Sequence, residues 1–113
     1  MGEKTLQRRA RQAAIRMVAE MLRTDHNMYM VIENVSCVNG VRDDEALVSN
    51  VSKDIARVAG AGRTGFRAAW RQLQADCMDG AEDDDVIAGW TSYLVLVDQY
   101  AREVLDGRGD ADG

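Results

Sequence analysis

Few residues in this chain have both the type and the spacing to do chemistry. His26 is the only histidine. It stands among polar residues near an expected helix start, where a surface or capping role fits better than that of a general base. Cys37 and Cys77 are isolated thiols without a C-x-x-C partner, expected to be reduced and buried. Glu82, Asp83, Asp84 and Asp85 form an acidic run. A calcium loop needs oxygens at alternating positions, a central glycine and a distal glutamate, and this run lacks that pattern. Its expected role is to cap the helix that follows, where carboxylates meet free N–H groups. Gly60-Ala61-Gly62-Arg63-Thr64-Gly65 spells G-x-G-x-x-G, but Arg57 interrupts the strand a dinucleotide fold would need before it. No catalytic residue, metal or cofactor is therefore expected. What remains is a row of arginines, Arg63, Arg67 and Arg71, four residues apart and continued by Gln74. Guanidinium groups at that spacing share one side of a helix and match phosphate geometry.

The whole chain sets the frame for that row. Its 113 residues suit one domain with a modest core, expected over residues 1–106, with a disordered tail over 107–113. Apolar residues make up 46%, yet there are only two Trp, three Tyr and one Phe, so an aliphatic core with methionine as filler is expected. Absence of proline and abundance of alanine favour helix. No apolar run reaches the ~20 residues of a membrane span, and the N-terminal stretch is rich in arginine. A cytoplasmic, non-membrane protein is the expectation. The net charge is −5, but it is unevenly placed. Six basic residues face three acids over residues 1–25, whereas two face nine over 80–113. A basic face is compatible with that distribution.

Hydrophobic periodicity outlines the elements that must position the arginines. Leu6, Ala10, Ala13, Met17 and Met21, widened by Ala14, Val18 and Leu22, predict a helix over 3–23. Arg9, Arg16 and Arg23 fall on its far side, as a solvated face or a phosphate-contacting strip. From Met28 to Val35 nearly every residue is apolar, which suits a strand or a buried helix. With no second convincing strand, helix is expected, capped by Asp25 and ended by Asn39-Gly40. Leu47, Val48, Val51, Ile55 and Val58 predict helix from Asp44 to Ala59, either continuous or broken near Asn50–Ser52. A second helix carries Phe66, Ala69, Trp70, Leu73 and Cys77 on one side, after a reversal assigned to Gly60. Ile87, Trp90, Val97, Ala101 and Val104 predict a last helix over 84–105, apolar on more than one side. The fold class is an all-α bundle of four or five helices with a helix-turn-helix-like pair in the middle.

Residues 52–74 resemble the helix-turn-helix of lac-repressor-type regulators and small antidote-type repressors. Ile55-Ala56-Arg57-Val58-Ala59-Gly60 matches the first helix and turn, and Arg63-Thr64-Gly65-Phe66-Arg67-Ala68-Ala69 the recognition helix. The resemblance prefers a break before Ser52, with Ser52 as cap. It departs at Ala61, at Gly62 in place of a serine or threonine cap, and at Gly65 inside the helix. It implies a DNA-binding regulator whose Arg63, Thr64 and Arg67 read bases and whose Arg71 touches phosphate, with Gln74 on the same side. Such a regulator is expected as a homodimer joined through its first or last helix. The alternative is an acidic helical interaction module or inhibitor of phage type, contacting a basic host protein through Glu82, Asp83, Asp84, Asp85, Asp98 and Glu103.

Overall fold

The computed structural model describes residues 2–24 and 28–107. His26 and the expected cap Asp25 lie outside the described residues, as does the tail beyond Gly107. The described residues form five helices: α1 (Glu3–Thr24), α2 (Tyr29–Ser36), α3 (Asp44–Ala59), α4 (Gly62–Met78) and α5 (Asp84–Asp106). A two-residue-per-strand hairpin, β1 (Cys37–Val38) and β2 (Val41–Arg42), pairs antiparallel between α2 and α3. The architecture is an all-α bundle, with α3 and α5 each touching the other four helices.

The apolar spacing explains the packing. Ala10, Ala13, Ala14, Met17, Val18 and Met21 of α1 are buried against α3 and α5, as the period demands. Leu22 is the exception, 45% exposed, because it lies about 140° round the helix from Met17, beyond the edge of the buried stripe. Leu47, Val51, Ile55 and Val58 bury one continuous stripe of α3. From α5, Tyr93, Leu94, Val97, Tyr100, Ala101 and Val104 are buried, while Val95 is left exposed. Carboxylates cap both helices that acids precede. Asp43 accepts from the N–H groups of Glu45 and Ala46 at 2.9 and 3.4 Å, and Asp83 accepts from Asp85 at 2.8 Å.

Four local expectations need correction. α3 runs unbroken from Asp44 to Ala59, so Ser52 lies inside it and caps nothing. The stripe through Leu47, Val51 and Ile55 keeps its burial across Asn50–Ser52, and burial of a continuous face outweighs the weak helix propensity of Asn and Ser. The reversal belongs to Gly62, at φ +75°, while Gly60 is right-handed at φ −65°. Gly60 is needed for closeness: a Cβ there would lie 2.7 Å from the Ala56 carbonyl oxygen and 3.1 Å from Leu6 Cδ2. Asn39 and Gly40, at φ +54° and +81°, form a tight hairpin turn rather than a helix end. Cys37, on that hairpin, is exposed, whereas Cys77 is half-buried.

Candidate nucleic-acid interface

α4 is positioned as a ridge. Phe66 and Leu73, one heptad apart, are its buried residues, with Trp70 and Cys77 half-buried beside them. This single seam holds the helix on α3 and α5 and leaves the rest of its circumference outward. Thr64, Arg67 and Arg71 are exposed, while Gln74 is half-buried. The i, i+4 spacing turns each arginine about 40° further from the seam than the last, so Arg71 is the most outward.

The three arginines are not equivalent. Arg63 donates to Asp106 at the end of α5, at 3.0 Å, with 76% of its side chain still exposed. Arg67 and Arg71 form no hydrogen bond or ion pair among the described residues. On the opposite flank Asp76 accepts from Arg57 of α3 at 2.6 Å and from Gln72 at 3.1 Å. Those two donors hold the Asp76 carboxyl below its ordinary value. α4 thus separates its charges: acid toward α3, base toward α5 and solvent.

The basic flank borders a cleft between α4 and α5, lined by Phe66, Arg67, Trp70, Val95, Asp98 and Arg102. The Trp70 indole N–H donates to the Leu94 carbonyl at 3.0 Å, fixing its ring. Arg102 lies 4.6 Å over the Phe66 ring and donates through Nε to both Asp98 oxygens, at 3.1 and 3.2 Å.

The acidic candidates do not share a surface. Glu82, Asp83, Asp84 and Asp85 stand exposed at the start of α5. Asp98 faces the α4 cleft, and Glu103 pairs with Arg16 of α1 at 2.8 Å. That contact takes Arg16 out of the strip read on α1; its guanidinium also sits 5.3 Å over the Tyr100 ring.

A buried polar joint lies behind α4. The Tyr93 hydroxyl donates to Asp54 Oδ2 at 2.5 Å. Burial lifts the Asp54 carboxyl above its ordinary value, opposed by the Tyr93 hydrogen bond and by Arg57. Burial, with Asp54 and Asp76 nearby, pushes the Cys77 thiol up to about 12, a poor nucleophile at neutral pH. Neither Asp54 nor Tyr93 stood out in the sequence, because each occupies an ordinary position of a helix. Val95 and Arg102 were missed for the same reason, though an apolar residue off the α5 stripe is a usable signal.

Among the described residues no group of three or more His, Cys, Asp or Glu is placed to hold a metal ion, and no helix is long and apolar enough to cross a membrane. Compared with family models, curated protein sequences and solved structures, the chain matches none of them.

Proposed function

We propose that α4 is a DNA-reading helix and that the protein is a small, non-catalytic regulator of double-stranded DNA. One observation supports this reading above the others: Thr64, Arg67 and Arg71 stand exposed on one side of a ridge-like helix, and both arginines lack a carboxylate partner among the described residues. An α-helix fits the major groove, about 12 Å wide. Thr64 and Arg67 then face base edges, while Arg71 and Gln74 reach the backbone. Arg63 joins them, because an exposed ion pair such as Arg63–Asp106 contributes only about 0–1 kcal/mol and gives way to a phosphate. The homodimer expected of such a regulator has apolar surface available on α1, where Ile15 and Leu22 are exposed one heptad apart.

Electrophoretic mobility shifts with the full chain and mixed genomic duplex fragments test the reading. Binding weakens steeply with salt, because each phosphate contact releases condensed counterions. Arg71→Ala, which removes one phosphate contact, lowers the log–log salt slope by about 1, whereas Arg67→Ala relaxes sequence preference. No shift at low ionic strength would remove the proposal.

A second reading is supported by the exposure of Glu82, Asp83, Asp84 and Asp85, which form no ion pair among the described residues. There the protein contacts a basic partner through the start of α5, without DNA. Asp98 and Glu103 take no part, since each already faces an arginine.

A further inference from the structure

The α4–α5 cleft has a composition that groove reading alone does not call for. Its volume is about 260 Å³. An apolar cavity of about 150 Å³ takes benzene, so a body of one or two rings fits here. Phe66 forms the floor, and Trp70 is a wall whose orientation is locked by its hydrogen bond to Leu94. Val95 adds an apolar side chain that is 57% exposed, more open than the other large apolar residues of α5.

The charges at the mouth define the rest of the ligand. Arg102 is committed twice, to Asp98 through its Nε and to the Phe66 ring through its face. Arg67 lines the same space with no side-chain partner among the described residues. Two cations against one anion leave a surplus of one positive charge. A carboxylate answers it, since a guanidinium fork binds carboxylate with two parallel hydrogen bonds. A dianion is disfavoured, because Asp98 repels the second charge.

We propose that this cleft binds a small aromatic monocarboxylate, with its ring between Trp70, Phe66 and Val95 and its carboxylate on Arg67. The site requires nothing of the DNA reading and stands or falls separately from it. Titration of the full isotopically labelled chain by NMR provides the test. The probes are 2-naphthoate, its neutral analogue 2-naphthamide, and acetate.

2-Naphthoate is expected to shift the Trp70 indole N–H, Val95 and Arg67 signals saturably, with the amide about tenfold weaker. Arg67→Ala should bring the acid down to the amide's affinity and leave the amide unchanged. Val95→Glu, an exposed change that adds negative charge at the mouth, should weaken the acid more than the amide. Equal binding of acid and amide, or acetate shifting the same signals at the same concentration, would overturn the site. Shifts scattered over the surface, or none, would also overturn it. Mobility shifts on the same sample separate the two ideas: DNA binding without naphthoate binding rejects only the cleft, and the reverse rejects only the DNA reading.

Discussion

The sharpest consequence at the scale of single residues concerns Asp54 and Tyr93, which were not visible as a pair in the sequence. They lie 39 positions apart and meet only because α3 packs on α5. Burial raises the folded pKa of Asp54 above its ordinary 3.8, so the folded state holds that proton more tightly than the unfolded chain. This contribution is fully present below pH 3.8 and fades as pH rises through the folded value. Asp76 acts with the opposite sign. Its pKa is held down by Arg57 and Gln72, so its contribution is present at neutral pH and lost on acidification. Asp54→Asn isolates the first effect, because an amide oxygen still accepts from Tyr93 but carries no charge to desolvate. Urea midpoints from about pH 4 to about pH 7 should therefore decline less in Asp54→Asn than in the parent chain. Tyr93→Phe deprives a largely buried carboxylate of its donor and should cost about 2 kcal/mol at neutral pH. A parent and Asp54→Asn profile of identical slope would show that Asp54 titrates alike in both states. The arginine row, by contrast, was legible, since i, i+4 spacing alone puts its members on one side of a helix. Which of the three would be neutralised was not, because Asp106 is 43 positions from Arg63.

Among the elements, long periodic segments were readable in type and extent, the short α2 in type, as the helix expected over Met28–Val35, and the hairpin not at all. The first and last helices begin and end within a residue of the expected bounds, because twenty or so positions of apolar spacing leave little ambiguity. The hairpin escaped notice despite its Asn-Gly pair, since two-residue strands carry no alternation to detect. The α3–α4 junction was misread more instructively. Glycines 60 and 62, one residue apart, look interchangeable in sequence, yet Gly62 supplies a left-handed backbone and Gly60 supplies room. Substitution distinguishes them. Gly62→Ala meets no neighbour within 4 Å but is strained at φ +75°, at about 1–2 kcal/mol. Gly62→Asn should recover part of that loss, because asparagine tolerates the left-handed region. Gly60→Ala places its methyl against the Ala56 carbonyl and Leu6, a cost of about 1–3 kcal/mol. Asparagine there should be no better than alanine. Chemical denaturation of the four variants checks the pattern, and a Gly60→Asn chain more stable than Gly60→Ala would contradict the crowding argument.

On the scale of the whole molecule, the proposed reading requires a chain of net charge −5 to approach a polyanion. The sequence showed the asymmetry but not its layout, which depends on how α4 and α5 lie. Arg63 at the start of α4 meets Asp106 at the end of α5, and a short connection joins their other ends, so the two helices run antiparallel. The acidic residues 82–85 therefore lie at the end of the basic flank beyond Arg71, not alongside Arg63 and Arg67. On the proposed reading, long-range repulsion from that end would slow the approach of DNA without touching the face of α4 that carries Arg67 and Arg71. Neutralising Glu82→Gln, Asp84→Asn and Asp85→Asn together, while keeping Asp83 as the α5 cap, should raise DNA affinity several-fold at low salt. The gain should shrink towards about 0.15 M, where the Debye length falls to about 8 Å. The same triple variant should abolish binding if a basic protein is the true partner. Mobility shifts across a salt series, set beside capture of partners from lysate by parent and variant chains, separate the two outcomes. A variant whose DNA affinity is unchanged at every salt concentration would mean that residues 82–85 lie outside the field that the DNA meets.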